Sequence, residues 1–163
     1  MTFQDRARQP HVHDRSGGEA LWFLDNLLTV KASRADGAPF DILENAMPAG
    51  SHTPMHAHER EDEAFYVLEG ELTIFLGDER IVHAGPGDYI HVPAGVGHGF
   101  RTHTAVRMLV LCGGDGFVEM AREAGGPAER RELPPGGPPD VARLERACDR
   151  YGIRLLGPLP DEV

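Results

Sequence analysis

Short apolar runs separated by turn residues recur about every ten positions between residues 19 and 112. Each run is long enough for one strand, and the breaks contain Gly, Pro or Asp, which favour turns. The pattern therefore predicts an all-β body with a sandwich or barrel architecture. The expected strands are Ala20–Leu24, Leu28–Ala32, Phe40–Met47, Ala64–Leu68, Glu71–Leu76, Arg80–His83, Tyr89–Val92, Gly99–Thr104 and Val106–Cys112.

The periodicity becomes helical after residue 114. Asp115 is expected to cap a first short helix that continues to Glu123, and Asp140 is expected to cap a second helix. Residues 125–140 between them are rich in proline and glycine, which predicts an extended connection. The expected organisation is an N-terminal arm at 1–18, a β-body at 19–114 and a C-terminal helical extension packed on it at 115–163.

Two of the expected strands, residues 64–68 and 106–112, are apolar on both faces. A strand of this kind must be covered on both sides. One side faces the core, and the other is covered either by another part of the same chain or by a second subunit in a homodimer. The sequence leaves both alternatives open.

Composition restricts the class of partner. A chain of 163 residues fits one domain. With 16 basic and 26 acidic side chains and a net charge of −10, it has no basic face for nucleic acid or an anionic membrane. No apolar run has the length of a membrane span, and the N-terminal residues are charged, so we expect a cytoplasmic protein. Cys112 and Cys148 are expected to be buried free thiols, with a disulfide as the alternative.

One short segment carries residues that favour metal binding. His56 and His58 are two positions apart, so on a strand both imidazoles point to the same side. Glu63 opens the apolar strand that follows, and a short turn would return its carboxylate to the two rings. Imidazole nitrogens with a carboxylate oxygen suit a divalent first-row metal. From the residues alone Glu61 and Asp62 remain alternatives to Glu63 as the ligand. The apolar strand that begins at Glu63 favours Glu63, and Glu61 and Asp62 are then expected in a solvated turn.

This segment and a later one together resemble the two motifs of the cupin family. Gly50, His56, His58, Glu63 and Gly70 have the spacing of the first motif, and Gly87, Pro93, Gly95 and His98 have that of the second. The resemblance covers residues 50–102 and departs at Thr102, where the family usually has an asparagine that is not a ligand. It implies a jelly-roll β-barrel and a metal site made of His56, His58, Glu63 and His98. The implied cofactor is one divalent transition metal: nickel, manganese, iron or cobalt, with zinc or copper as further options.

The surroundings of the site are expected to be apolar. By strand parity Phe65 and Val67 share a face with Glu63, and Phe100 shares one with His98. These three predict a substrate pocket for an apolar or aromatic small molecule with metal-chelating oxygens. His91 is close to His98 in sequence and is expected to form a hydrogen bond that orients a metal ligand.

Within the cupins, the continuous run at residues 59–79 and the later segments at 121–129 and 151–158 resemble single-domain proteins of the quercetin 2,3-dioxygenase-like group. This resemblance implies a metal-dependent oxygenase, a dioxygenase that acts on a flavonol-like or other aromatic or enol substrate with dioxygen. In that group the motif glutamate is both ligand and base, which makes Glu63 the expected catalytic residue. Two alternatives remain: a metal-dependent isomerase or cyclase of a small ketone or polyketide-type substrate, and a non-catalytic metal-bound cupin that binds a small molecule.

Overall fold

Two antiparallel sheets form the body of the chain in this computed structural model, which describes residues 10–114 and 116–161. The strands are β1 (Glu19–Phe23), β2 (Asn26–Ala32), β3 (Asp41–Met47), β4 (Met55–His58), β5 (Glu63–Glu69), β6 (Leu72–Leu76), β7 (Arg80–Ala84), β8 (Tyr89–Val92), β9 (His98–Thr102), β10 (Val106–Cys112), β11 (Gly126–Pro127) and β12 (Ile153–Gly157). The larger sheet has the order β11-β1-β2-β3-β10-β5-β8, and the smaller has the order β12-β4-β9-β6-β7. The predicted all-β jelly-roll class is confirmed as a sandwich of these sheets.

The core lies between the two sheets. Along β3 and β10 every second residue is buried, and Leu43 and Met108 are completely so. From the smaller sheet Leu72 and Ile74 of β6 face them. The sequence signal for these strands was the short apolar run bounded by turn residues, and the structure adds the alternation in burial along β3 and β10.

Each strand expected from the sequence is present, with ends displaced by no more than about two residues. Three strands were missed, namely β4, β11 and β12. The four residues of β4, Met55–His58, include two histidines and therefore carry no apolar run. β12 pairs with β4 and places Leu155 opposite His56.

Two α-helices come after β10 in the chain, α1 (Phe117–Ala124) before β11 and α2 (Val141–Arg150) before β12. Asp140 caps α2 as predicted, because its Oδ1 accepts a hydrogen bond from the Arg143 backbone N–H at 3.0 Å. Asp115, the expected cap of α1, lies outside the described residues, as do residues 1–9 of the predicted arm. Helix α1 buries Phe117, Val118, Met120 and Ala121, and α2 buries Ala147 and Cys148.

The outer face of the larger sheet is partly exposed. Tyr66 of β5 and Tyr89 of β8 are opposite each other in register, and 41% and 63% of their surfaces are exposed. Leu109 of β10 is half-buried on the same face. Within the described residues the chain therefore does not cover this face completely.

Two further expectations concern cysteines and membranes. Cys112 and Cys148 are free and buried, as predicted. In the described part of the chain, neither helix is long and apolar enough to cross a membrane.

Candidate metal centre

Four residues from both sheets converge between the sheets: His56, His58, Glu63 and His98. One potential ligand atom from each lies within 4.8 Å of all the others, and we call this group the His–Glu cluster. The histidines belong to β4 and β9 of the smaller sheet, and Glu63 is the first residue of β5 in the larger sheet. The structure thus brings together the four residues that the cupin resemblance implied.

Hydrogen bonds between two turns hold the parts of the cluster in place. The turn after β4 contains Asp62, whose Oδ1 accepts a hydrogen bond from the Ala94 N–H at 2.9 Å. Gly95 donates its N–H to the His58 carbonyl at 2.7 Å. Gly95 has a φ of +83°, which a residue with a side chain adopts only with strain. These contacts fix the turn before β9 against β4, so that His98 starts its strand beside the other two rings.

Each histidine of the cluster is oriented through its Nδ1 atom. The acceptors are the Pro54 carbonyl for His56 at 2.8 Å, the Glu61 Oε1 for His58 at 2.9 Å and the Val96 carbonyl for His98 at 3.1 Å. Because these oxygens can only accept, each ring donates from Nδ1, and its Nε2 is directed into the cluster. Metal-binding histidines in proteins are held in the same way.

The remaining distances fit a metal ion. Glu63 Oε2 lies 2.8 Å from His98 Nε2 and 3.2 Å from His58 Nε2. Two ligands bound to one metal at about 2.1 Å and at right angles are also about 3 Å apart. His58 Nε2 is buried, and its contact with Glu63 Oε2 lacks the geometry of a hydrogen bond, although buried polar groups normally make one. A metal ion at this point would satisfy it, so the residues fit the implied cofactor.

Burial and charge set the protonation of the cluster. Burial lowers the pKa of His56 to about 4, and the neighbouring His98 adds to the effect. Burial alone would also lower the pKa of His58, but the carboxylates of Glu63 and Glu61 outweigh it and raise that pKa to about 10. Burial opposes ionisation of Glu63, yet His58 and His98 hold its pKa well below its usual range. At neutral pH the metal-free site therefore contains an ionised Glu63, a neutral His56 and a protonated His58, whose proton a metal would displace.

Two expectations about the surroundings of the cluster differ from the structure. Glu61 was expected in a solvated turn, but only 5% of its surface is exposed, and it forms the contact behind His58. His91, expected in that supporting role, lies at the surface and pairs its Nε2 with Asp62 Oδ2 at 2.8 Å. The three-residue spacing of His58 and Glu61 is the sequence signal that could have identified this contact.

The predicted pocket residues are buried but do not line the cavity at the cluster. Phe65, Val67 and Phe100 belong to the core, and the Phe65 ring lies 6.1 Å from that of His98. They form an apolar wall behind His98. Strand parity correctly predicted that these side chains point into the protein, but other residues line the cavity beside the cluster.

A small apolar cavity of about 50 Å³ borders His56 and His58. Its other walls come from the end of β1, both helices and β12, and include Phe23, Phe117, Met120, Leu144, Cys148 and Ile153. A wider groove of about 630 Å³ shares Leu24, Pro54 and Leu144 with this cavity. Four prolines between residues 135 and 158, together with His52 and Arg101, line the groove. The elements after residue 114 thus form most of the cover over the cluster.

Comparison with known proteins agrees with the cupin resemblance. The family model described as "Cupin domain" matches residues 43–112. Quercetin 2,3-dioxygenase from Bacillus subtilis (strain 168) is 32% identical over 141 residues, which are 84% of this chain and 40% of that protein. The chain spans from 34% to 60% of the lengths of the curated relatives it matches.

Two solved structures are also similar. The polyketide cyclase RemF from Streptomyces resistomycificus has a TM-score of 0.54 and 32% identity, and the match covers 64% of this chain and 79% of that one. An RmlC-like cupin from Shewanella frigidimarina has a TM-score of 0.56 and 20% identity, and covers 65% of this chain and 92% of that one. The latter likeness concerns the fold alone.

Proposed function

The chain belongs to the cupin family, and from this premise we propose that it is a metal-dependent dioxygenase acting on a flavonol-like or other aromatic enol substrate. The observation that carries the proposal is the convergence of three imidazole Nε2 atoms and the Glu63 carboxylate beside an apolar cavity. The similarity to a quercetin 2,3-dioxygenase supports the choice among cupin reactions.

His56, His58, Glu63 and His98 would hold one divalent metal, for which nickel, manganese, iron and cobalt are the first candidates and zinc and copper further ones. When bound, the metal supplies Lewis acidity toward substrate oxygens and, if it is redox-active, a path for electrons to dioxygen. The protein's contribution to the cofactor is to fix the three rings through their Nδ1 contacts and to bring one buried anion to them.

Glu63 is the proposed base. Its carboxylate is ionised because His58 and His98 hold its pKa low, so it can accept the hydroxyl proton of an enol or flavonol. Glu63 is also buried, with only 3% of its surface exposed. A proton transferred to it would thus remain close to the substrate rather than exchange freely with water.

The apolar walls of the cavity beside the His–Glu cluster would exclude water from a deprotonated substrate. The cavity of about 50 Å³ is much smaller than typical ligand pockets, which are roughly 300–1,000 Å³. We therefore place only the reacting hydroxyl and its neighbouring oxygen at the cavity. The rings of the substrate would occupy the adjoining groove of about 630 Å³, with Leu144 at the boundary.

Oxygen consumption tests the proposal. The purified protein is analysed for metal, loaded separately with nickel, manganese, iron and cobalt, and assayed with quercetin and related flavonols in an oxygen electrode. We expect one metal per chain and substrate-dependent uptake of one dioxygen per flavonol, with release of one carbon monoxide as the ring opens. A fully loaded protein that consumes no dioxygen with any flavonol or aromatic enol would rule out the proposed reaction.

A metal-dependent cyclase or isomerase is the second candidate. It is favoured by the likeness to the polyketide cyclase RemF, most of whose chain is matched at 32% identity. The same carboxylate would then remove a proton from a ketone substrate with no net oxidation. Turnover that continues under strict exclusion of dioxygen would favour this candidate. Saturable binding without any turnover would instead favour a non-catalytic binding protein.

We also propose a cytoplasmic homodimer formed through the outer face of the larger sheet. Tyr66, Tyr89 and Leu109 give this face an apolar character, and the described part of the chain leaves it partly exposed. Light scattering should give twice the 17.8 kDa chain mass. Tyr66→Glu should halve that mass, whereas Ile81→Glu on the smaller sheet should leave it unchanged. A monomeric wild-type protein would exclude the dimer.

A further inference from the structure

Glu61 is a buried carboxylate that lies between the His–Glu cluster and the start of helix α1. Only 5% of its surface is exposed, and it does not belong to the cluster. Its charge is not needed to hold a metal directly, because Glu63 already supplies the carboxylate. Burying a second polar carboxyl group here costs free energy unless its contacts compensate for the loss of water.

Three hydrogen bonds supply this compensation. Glu61 Oε1 accepts one from His58 Nδ1 at 2.9 Å and one from the Phe117 N–H at 2.7 Å. Glu61 Oε2 accepts a longer one from the Gly116 N–H at 3.3 Å. The backbone N–H groups at the start of a helix also favour a negative charge. One oxygen therefore contacts both a histidine of the cluster and the helix.

The loop before α1 is packed against this carboxylate so closely that it requires glycine. A Cβ atom on Gly114 would lie 2.3 Å from Glu61 Cβ, and one on Gly116 would lie 2.9 Å from Glu61 Oε1. Neither glycine has a positive φ, so the requirement is one of space. The loop and the carboxylate are thus fitted to each other.

We propose that Glu61 is a positioning residue for metal binding, which fixes the His58 ring and couples it to the seating of α1 over the cavity. This inference rests on the proposed metal site. His56 and His98 are held by backbone carbonyls, whereas His58 is held by the Glu61 carboxyl group, which also accepts a hydrogen bond from helix α1. Phe117 and Met120 of α1 line the cavity beside His56 and His58. Movement of the helix would therefore change both the closure of the cavity and the orientation of the His58 ring.

A role in helix capping alone would account for the contacts with Gly116 and Phe117 but not for the contact with His58 Nδ1. The two roles differ in what the loss of Glu61 changes. If Glu61 only caps the helix, its removal affects stability and leaves metal affinity unchanged. If it positions His58, its removal weakens metal binding and alters the electronic spectrum of the bound metal.

The test uses the full chain stripped of metal and titrated with Co²⁺, followed by visible absorption. Wild type should bind one Co²⁺ per chain, and Glu61→Ala should bind it 10–100-fold more weakly with a changed spectrum. Glu61→Gln should recover part of the affinity, because its amide oxygen can still accept from His58 and Phe117. Glu59→Ala is the matched control, because Glu59 is half exposed and its ion pair with Arg154 is long, at 3.8 Å. The Kd of this variant for Co²⁺ should stay within about threefold of the wild-type value.

Amide hydrogen exchange at residues 116–118 provides the second measurement. Co²⁺ should slow exchange there in wild type and in Glu59→Ala, and should have much less effect in Glu61→Ala. Equal affinity, spectrum and protection in all variants would overturn the inference while leaving the metal site intact. If Glu61→Ala does not fold, Glu61→Gln decides the question by the same criteria. A wild type that binds no Co²⁺ would overturn both this inference and the proposed metal site.

Discussion

His56 on β4 and His98 on β9 lie directly opposite each other in the smaller sheet, with their ring centroids 4.4 Å apart. His56 is only partly buried and lines the cavity, whereas His98 is completely buried. The proposed site thus has a ligand that faces the substrate and a ligand that faces the core.

Replacing either histidine by alanine should abolish metal retention. Each variant loses one of four proposed ligands, so we expect a loss greater than the 10–100-fold that removal of a supporting partner costs. Elemental analysis after gel filtration checks this, with circular dichroism to establish that the sheets remain. His91→Ala is the control, because His91 is at the surface and pairs with Asp62. Retention of a full metal equivalent by both His56→Ala and His98→Ala would remove the site assignment.

Glu63→Gln separates the two proposed roles of this residue. The amide keeps an oxygen that can bind a metal, but it cannot accept a proton as a carboxylate does. Metal content should stay above half of the wild-type value, and kcat should fall by roughly 10²–10⁴-fold, the usual effect of general-base catalysis. Steady-state oxygen uptake on metal-matched samples measures this. An unchanged kcat at equal metal content would exclude Glu63 as the base.

Metal binding should release about one proton at neutral pH. The pKa of His58 is raised to about 10, so before binding its Nε2 carries a proton that the metal must displace. Glu63 is already ionised and His56 already neutral, so neither contributes. Calorimetric titration in buffers with different ionisation enthalpies gives the number of protons released. The Kd should also fall about tenfold per pH unit between pH 7 and 9. A heat that is independent of the buffer would contradict the protonation assigned to His58.

The metal-stripped protein should lose stability in mild acid because of His56. Its pKa is 6.5 in the unfolded chain and about 4 in the folded protein. Between these values the unfolded chain binds a proton that the folded protein does not, so the free energy of unfolding decreases as the pH falls. The stabilisation that comes from the raised pKa of His58 is fully present below pH 6.5. The stabilisation that comes from the lowered pKa of Glu63 is lost only below about pH 4.5.

Urea unfolding of the stripped protein at pH 7.0, 6.0 and 5.0 measures this effect. From His56 alone we expect a loss on the order of 2 kcal/mol. His56→Gln keeps a polar side chain but cannot titrate, and its stability should change much less over the same range. Parallel curves for the two proteins would show that another group is responsible.

The strands of the core could be predicted because each of them contains a short apolar run bounded by turn residues. The same principle fails for β4, where the inward residues are His56 and His58 rather than apolar side chains. Only the spacing of the metal motif identified these two positions. The residues of the His–Glu cluster were therefore predictable from motif and parity together, whereas their geometry depends on the turn at Gly95 and its bond to His58.

The cover over the cluster could not be predicted from local pattern. Phe117, Leu144 and Ile153 lie at least 50 residues after His58 and Glu63 in the sequence, and their position depends on long-range packing. Glu61 shows the same limit, because its place in a charged turn indicates exposure. It is buried only because Gly114 and Gly116 allow a distant loop to close over it. Parity gives the direction of Phe65, Val67 and Phe100, but not which part of the interior remains open.

Leu144 should control access between the groove and the cavity, since it lines both. Leu144→Ala removes side-chain volume at the boundary and should lower the KM for a three-ring flavonol several-fold, with little change for a one-ring enol. The substitution should also destabilise the protein, by less than the 2–5 kcal/mol of a fully buried Leu→Ala change because Leu144 is only partly buried. Steady-state kinetics with both substrates, at a temperature well below the melting point of the variant, measure the effect.

Val141→Ala is the matched control on the same helix. Val141 precedes Leu144 by one turn of α2, but 53% of its surface is exposed and it lines neither space. Its KM values should equal those of wild type. If Leu144→Ala instead raises the KM for the three-ring substrate, Leu144 contacts the substrate rather than obstructing it. If neither substrate is affected, the wide groove is not the path to the cluster, and the rings must enter by displacement of α1 from Glu61.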